Sequence, residues 1–170
     1  MKRYLLLLCC SLLLAVNGYG QKREIHKGNK ESYVYSSHSE FTSGFSIQNI
    51  KNRGDSLKFL DFRKFFEVET ENLRETMNKV FSPYKKELIA KQTRSFAPGI
   101  SIYLQLSFTG EIKEVAVGYG GSTFLIPPTA MEELEKEIKK NVKVTLRQRR
   151  DIDTTQYDIL RYFTPFWELE

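Results

Sequence analysis

"ISIYLQLSFTGEIKEVAVGY", residues 100–119, decides the fold because it contains two strand patterns joined by a turn. In its first half the apolar residues are Ile100, Ile102, Leu104, Leu106 and Phe108, which alternate with Ser101, Tyr103, Gln105 and Ser107. This period of two is typical of a strand with one buried face. Thr109-Gly110-Glu111 predicts a turn. The second strand, residues 112–119, has one extra residue between Ile112 and Val115, which predicts a β-bulge or a strand covered on both faces.

Amphipathic helices flank this hairpin on both sides. Before it, apolar residues recur at three- and four-residue spacing over residues 73–89, with Thr70 as the expected N-cap. Pro83 lies inside this pattern, so the helix either kinks there or restarts with Ser82 as its cap. After the hairpin, Pro127-Pro128 precedes a second helical pattern, whose inward residues are Met131, Leu134 and Ile138.

Further strands complete the expected architecture. Residues 142–146 and 157–169 have strand composition, and residues 56–68 fit either a buried strand or a short helix. We predict an α+β fold, in which one or two helices pack on one face of an antiparallel sheet. Residues 57–170 form its single domain, and residues 21–56 are a polar segment, loosely ordered with one or two short strands.

The first twenty residues have the layout of a secretory signal peptide. Lys2 and Arg3 precede an apolar run, and small residues at Gly18 and Gly20 follow it. The run is shorter than the roughly 20 residues that cross a bilayer as a helix. We therefore expect cleavage between Gly20 and Gln21, with the mature protein in the periplasm or associated with the outer membrane and no transmembrane segment left.

Lipid anchoring is the alternative for this leader, since Cys9 and Cys10 are possible acylation sites. Both cysteines lie within the apolar run, behind the bulky Leu8, whereas a lipid-attachment cysteine ends the run behind small residues. Signal cleavage is therefore the preferred interpretation, and it removes the only 2 cysteines. A mature chain without thiols has neither disulfides nor thiolate metal ligands, and its stability must come from its core.

Charge and composition limit the function classes. Removing Lys2 and Arg3 leaves 24 basic and 21 acidic residues, a formal charge of +3. This excess is too small to indicate a nucleic-acid partner. The most concentrated basic run includes Lys140, Arg147 and Arg149, and it is either a solvated helix end or a patch for anionic lipid headgroups, lipopolysaccharide or an acidic protein face.

The glycine cluster at residues 118–122 raises the question of a phosphate-binding loop. Such a loop needs a lysine beside its Ser or Thr and a helix that begins there, and Phe124 to Pro128 provide neither. The glycines are therefore expected to end the strand. The alternative is a flexible edge of a binding surface, with Tyr119, Gly120 and Gly121 as ligand-binding residues.

Catalytic and metal motifs are weak in this sequence. His26 and His38 lie in the polar segment without the spacing of a helical zinc pair, and we interpret both as surface residues. The glutamates around residues 67–71 and 132–137 alternate with lysines, as on a solvated surface. We predict no cofactor, no metal site and no catalytic residue; a small hydrolase that uses carboxylates from distant segments is the alternative.

Three stretches carry a resemblance to known families: residues 100–119, "IPPTAMEELEKEIKKNVKVTL" and "YDILRYFTPFWEL". Together they resemble the small exported proteins of unknown function that are abundant in gut Bacteroidetes. The order of strand, Gly-x-Ile, helix and strand is also distantly similar to the C-terminal domain of TonB-type energy transducers, although the membrane anchor and Pro-rich linker of a transducer are missing. The resemblance implies an exported protein and supplies no catalytic residues, and we expect a binding module for an envelope protein or a surface ligand.

Overall fold

The computed structural model describes residues 22–37, 44–53, 56–93, 99–165 and 167–168. The predicted signal peptide, its cleavage site, both cysteines, His38 and Phe166 lie outside the described residues.

Ten strands are assigned in the described part of the chain: β1 (Arg23–Lys27), β2 (Ser32–Ser37), β3 (Gly44–Asn49), β4 (Phe59–Asp61), β5 (Phe66–Glu71), β6 (Gly99–Leu106), β7 (Ile112–Gly120), β8 (Lys143–Gln148), β9 (Ile159–Phe163) and β10 (Trp167–Glu168). The main sheet has the strand order β1-β2-β3-β7-β6-β9-β4. The short β10 pairs with the first two residues of β6, Gly99 and Ile100. The polar segment before residue 57 thus supplies three strands of this sheet, more than the one or two short strands expected.

The hairpin read from residues 100–119 lies at the centre of the main sheet. β6 and β7 pair antiparallel over their length. Gln105 lies opposite Glu114, but Leu106 lies opposite Ile112, so Lys113 is the extra residue of a bulge. The predicted bulge is confirmed.

The expectation of a purely antiparallel sheet is wrong. β4 pairs with β9 in parallel, with Leu60 opposite Leu160, whereas the other neighbouring pairs of the main sheet are antiparallel. A parallel pair needs a long crossover connection, and here most of the chain lies between the two strands. The sheet is therefore mixed, with its parallel pair at one edge, while helix packing on the sheet agrees with an α+β arrangement.

Residues 56–68, ambiguous from sequence, form neither a single strand nor a helix. A short 3₁₀ turn, Phe62–Lys64, separates β4 from β5. The turn is capped by the Asp61 carboxylate, which accepts a hydrogen bond from the backbone N–H of Arg63 at 3.1 Å. The turn moves the chain from the main sheet to a separate two-stranded antiparallel sheet, formed by β5 and β8.

Three α-helices are described: α1 (Leu73–Phe81), α2 (Lys85–Ala90) and α3 (Pro128–Asn141). α1 begins two residues later than the Thr70 cap predicts, because β5 continues to Glu71 and Asn72 turns the chain with φ of 63°. Pro83 lies in a 3₁₀ turn between α1 and α2, so the helix restarts after it. No helix in the described ranges is long and apolar enough to span a membrane.

The two faces of the main sheet differ because alternate residues of each strand point to opposite sides. The covered face carries the apolar positions of β6 and β7 and packs against α1 and α3, whose core residues include Met77, Phe81, Leu134 and Ile138. The outer face is formed by the alternate residues of β3, β6, β7 and β9, and these are Ser46, Gln48, Ser101, Tyr103, Gln105, Glu114, Ala116, Gly118, Arg161 and Phe163.

Candidate functional site

The predicted ligand-binding residues of the glycine cluster lie at the end of β7. The Tyr119 side chain is only 2% exposed, stacks on Phe45 at 5.3 Å between ring centroids, and donates a hydrogen bond to the carbonyl of Phe124 at 2.8 Å. Burial raises the pKa of its hydroxyl above the ordinary value of 10.0. Tyr119 therefore has a structural place in the core, and ligand binding by this residue stays a prediction.

The two glycines that follow shape the turn after β7. Gly120 lies between Gly44 of β3 and Gly99 of β6. Gly121 has φ of 81°, a conformation that glycine adopts without strain, and its carbonyl accepts a hydrogen bond from the backbone N–H of Thr93 at 2.9 Å. The helix that follows the glycine cluster, α3, does not begin until Pro128. This agrees with a strand end rather than a phosphate loop.

The predicted basic residues lie apart from the glycine cluster. Lys140 is exposed in the last turn of α3. Arg147 and Arg149 lie at the end of β8, where they form ion pairs with Glu69 at 3.3 Å and with Glu67 at 3.2 Å. Because each arginine has a carboxylate beside it, the strand carries little net charge toward an anionic partner.

A cavity with a volume of about 640 Å³ lies between α3 and the β1–β2 turn. We call it the acidic cavity, since its lining includes Glu31, Glu132, Glu135 and Glu137. The Glu132 carboxylate accepts hydrogen bonds from the backbone N–H groups of Lys30, at 2.7 Å, and of Glu31. Glu132 thereby fixes the β1–β2 turn to α3.

The electrostatics of the acidic cavity favour ionised carboxylates. The two backbone N–H donors hold the pKa of Glu132 below its usual range, and the ammonium groups of Lys51 and Lys79 do the same for Glu31 and Glu137. A general acid needs a carboxyl pKa raised toward neutrality, which is the opposite shift. Within the described ranges, moreover, no group of three His, Cys, Asp or Glu side chains is placed to hold a metal ion.

His26 has a structural environment as well. Its ring lies 3.2 Å from the Glu24 carboxylate and makes an edge contact with Tyr35 at 4.5 Å between centroids. These contacts bring no serine hydroxyl or cysteine thiol of the described residues to the ring, so they do not form a Ser-His or Cys-His pair.

A second cavity lies on the outer face, and we call it the outer groove. It has a volume of about 420 Å³. The residues that line it are Ser46, Ile47, Gln48, Asn52, Tyr103, Gln105, Glu114, Val115, Ala116, Val117, Arg161 and Phe163. Four adjacent strands supply most of this lining, so the groove has a rigid floor.

Two rows of side chains run across the strands in the outer groove. The polar row consists of Glu114, Gln105 and Arg161, which the strand registers place side by side. The aromatic pair next to it consists of Tyr103 and Phe163, whose ring centroids are 6.2 Å apart with an interplanar angle of 32°. Such a combination of aromatic surface with a few fixed polar groups is common in ligand sites.

Gly118 sets the position of the Tyr103 ring. A Cβ atom at Gly118 would lie 3.0 Å from Cε2 of Tyr103 and 3.1 Å from Oγ of Ser101. The tyrosine ring therefore lies against the bare backbone of β7, and it is still 37% exposed. Gly118, the first residue of the predicted glycine cluster, thus shapes the groove by supporting the Tyr103 ring.

The walls of the groove are held by the loop after β3. The backbone N–H of Arg53 donates to Oε1 of Glu114 at 2.6 Å, and the Asn52 side chain donates to the carbonyl of Val115 at 3.0 Å. On the opposite wall the Arg161 guanidinium lies over the Phe59 ring at 4.0 Å. The groove is therefore bounded by fixed side chains on both sides.

Sequence reasoning missed the residues of the outer groove. The alternation in residues 100–108 places Tyr103 and Gln105 on the face that is not buried, and this was the available signal. A large aromatic residue between polar ones on that face marks a possible contact surface. Arg161 gave no signal. The aromatic Phe163 could be an interface anchor but was interpreted as a core residue, because its proximity to β6 depends on the path of the sheet.

No family model matches the chain, and no curated protein matches it in sequence. Its fold is similar to a crystal structure, at 1.85 Å resolution, of a DUF5043 family protein from Bacteroides uniformis ATCC 8492. The TM-score is 0.53 at 14% sequence identity, over 86% of this chain and 92% of that chain. The likeness shows the fold alone. It agrees with the resemblance to gut Bacteroidetes proteins, and the similarity to TonB is not shown.

Proposed function

We propose that this chain is a non-enzymatic binding module of the bacterial envelope that takes its ligand in the outer groove. The observation that carries the proposal is the groove itself, a concave site of about 420 Å³ on a sheet face whose lining comes from strands and one loop. Sites of this volume accommodate small ligands or one or two units of a polymer.

The polar groups of the groove support binding over catalysis. Glu114 has one carboxylate oxygen fixed by the backbone N–H of Arg53, and its neighbour across the strands is the uncharged Gln105. Glycoside hydrolysis by acid-base chemistry needs two carboxyl groups on either side of the scissile bond. Among the groove residues of the described ranges, Glu114 is the one carboxylate.

The hydrolase alternative receives less support from the acidic cavity. Its carboxylates are bound to backbone N–H groups and lysines, and those with a shifted pKa are shifted down. These groups stabilise the turn and the helix, as the contacts of Glu132 illustrate. We therefore place ligand binding on the outer face and a structural role in the acidic cavity.

The envelope location is the second part of the proposal, and it is supported by the leader sequence. The basic start, the apolar run and the small residues at Gly18 and Gly20 are the features that signal peptidases require. Mass spectrometry of the native protein is expected to find Gln21 at the N-terminus. A native N-terminus at Met1, or an acylated Cys10, would contradict export by signal cleavage.

The binding function is tested by NMR with the mature chain, because Gln48, Asn52 and Gln105 carry side-chain amides that report on the groove. A library of fragments of varied charge and polarity is titrated against ¹⁵N-labelled protein. We expect binders to shift these amide signals while the side-chain amide of Gln148, on β8, stays in place. The proposal fails if the fragments that bind shift signals around the acidic cavity or elsewhere and leave the groove amides unchanged.

A further inference from the structure

We propose that the ligand of the outer groove is an uncharged saccharide, bound with one sugar ring over Tyr103 and its hydroxyl groups toward Gln105 and Glu114. This inference rests on the proposed function, since it names the ligand class of the same site. Three features of the groove lead to it: unpaired acceptors, balanced charge and an exposed aromatic face.

Two buried oxygen atoms of the groove lack a hydrogen-bond donor in the described part of the chain, and the ligand is expected to supply donors for them. Oε1 of Gln105 and Oε2 of Glu114 are buried and have no hydrogen-bond partner among the described residues. A buried acceptor without a donor is costly, and native structures contain few of them. The two residues are direct cross-strand neighbours, whose Cβ atoms are about 5 Å apart in such pairs. Adjacent O–H donors on one small ligand therefore match them.

Both acceptors are covered in this structure, so a groove side chain must turn aside as the ligand enters. Tyr103 and Phe163 are the two exposed side chains among the lining residues, so solvent leaves them room to change rotamer. Rotamer changes of this size are common when binding sites are filled.

Balanced charge disfavours ionic ligands. In the polar row the Glu114 carboxylate and the Arg161 guanidinium lie on either side of Gln105, so the row has no net charge. The Arg63 guanidinium lies over the Phe163 ring at 4.9 Å and occupies the place that a ligand cation would take on that aromatic face. The Glu114 carboxylate would repel an anionic ligand. The Arg161 and Arg63 guanidinium groups would repel a cationic one.

The aromatic pair supplies an apolar contact of suitable shape. Tyr103 is 37% and Phe163 is 36% exposed, and their rings are tilted by only 32° to each other. A pyranose ring has C–H groups on its faces and hydroxyls around its edge. It can therefore cover the Tyr103 ring and release water from it while its hydroxyls reach the polar row. A purely apolar ligand would leave both acceptors unpaired.

The inference is tested by isothermal titration of the mature chain with a panel of uncharged hexasaccharides, built from α-linked glucose, β-linked glucose, xylose, mannose, galactose or N-acetylglucosamine. Oligoglucosamine, oligogalacturonate and an uncharged blocked hexapeptide are the comparison probes. We expect at least one uncharged saccharide to bind, with an affinity that changes less than about twofold between 50 and 500 mM salt, because no ion pair is formed.

Variants of the groove identify the contacts. Tyr103→Ala is expected to weaken binding at least tenfold, whereas Tyr103→Phe keeps the ring face and most of the affinity. Glu114→Gln replaces the free acceptor by a donor and is expected to cost about tenfold, and Gln105→Leu about threefold to tenfold. Glu111→Gln, in the exposed turn between β6 and β7 and outside the groove lining, is the matched control and leaves the affinity unchanged.

The outcomes separate this inference from the proposed function. If the groove amides respond to fragments, oligoglucosamine, oligogalacturonate or the peptide, but to none of the saccharides, the ligand class is wrong and the binding function stands. If no probe of any class perturbs the groove, both are contradicted. Saccharide binding that is unaffected by Tyr103→Ala and Glu114→Gln also overturns the inference, because the ligand then lies elsewhere.

Discussion

The covered and outer faces of the main sheet are made by the same strands, yet they serve different purposes. On β6, Ile102 and Leu104 are fully buried against the helices, while Tyr103 between them is 37% exposed. The covered face is filled by apolar side chains, which stabilise the fold. The outer face carries polar and aromatic side chains around a groove of about 420 Å³. Under the proposed function, the alternation of one strand places residues for stability on one face and residues for binding on the other.

The largest expected difference between the covered and outer faces comes from truncating two adjacent residues of β6, one on each face. Leu104→Ala removes a fully buried side chain and is expected to lower the free energy of unfolding by about 2–5 kcal/mol. Gln105→Ala, one position along, is expected to change it by less than about 1 kcal/mol, since it removes an unpaired acceptor rather than core volume. Urea unfolding of both variants measures the difference. Equal losses would mean that the outer face is as important for stability as the core.

A methyl group at Gly118 tests how tightly the outer face is packed. Gly118→Ala places a Cβ atom 3.0 Å from the Tyr103 ring, and overpacking of this kind costs about 1–3 kcal/mol in unfolding free energy. In the Tyr103→Ala background the same change is expected to cost less, because the ring that it meets is gone. The double-mutant cycle is measured by urea unfolding. Additive costs would show that Gly118 and Tyr103 are not coupled.

Acid pH tests one contact on the helix side of the sheet, between the Glu132 carboxylate of α3 and the β1–β2 turn. The folded pKa of Glu132 lies below its ordinary value of 4.5, because backbone N–H groups of the β1–β2 turn bind the carboxylate. Its contribution to stability is therefore present above the unfolded pKa and is lost as the pH falls through the folded pKa.

The measurement for Glu132 is hydrogen exchange of the Lys30 and Glu31 amides, which donate to its carboxylate. At pH 7, Glu132→Gln is expected to speed their exchange, corrected for intrinsic rate, relative to the wild-type protein. As the pH falls through the lowered folded pKa of Glu132, the two proteins converge. The Gln105 amide at the sheet centre is the internal control, and its protection does not depend on Glu132. A difference that persists undiminished in acid would contradict the assignment.

The smallest effects are expected at the exposed ion pairs of the second sheet. Arg147→Ala removes the contact with Glu69 and is expected to change the free energy of unfolding by less than about 0.5 kcal/mol. Binding of the groove ligand is expected to stay the same, since β8 supplies no groove residue. Thermal unfolding and the same ligand titration check both statements. A loss of ligand affinity in Arg147→Ala would move the site to the predicted basic residues.

Local patterns in the sequence predicted the elements around the central hairpin. The period of two over residues 100–108 and the extra residue before Val115 gave β6, β7 and the bulge, because both signals depend on neighbouring residues only. The inward residues of α3 followed from helical spacing for the same reason. The parallel pairing of β4 with β9 was not predictable. The two strands are about 100 residues apart in the sequence, and only three residues of each strand take part in the pairing.

The candidate site was harder to predict than the fold. The glycine cluster drew attention to Tyr119, but its ring is on the covered side, one position after Gly118 on the outer face. A strand reverses the direction of its side chains at each residue, so an error of one position moves a prediction from one face to the other. Glu114, Gln105 and Arg161 become neighbours only when the order of β7, β6 and β9 is known.

The most direct test of the account is a crystal structure of the mature chain with the tightest-binding uncharged saccharide. The account predicts a sugar ring over Tyr103, with hydroxyl groups within hydrogen-bonding distance of Gln105 Oε1 and Glu114 Oε2. A saccharide bound in the acidic cavity beside Glu132, with the outer groove empty, would contradict it.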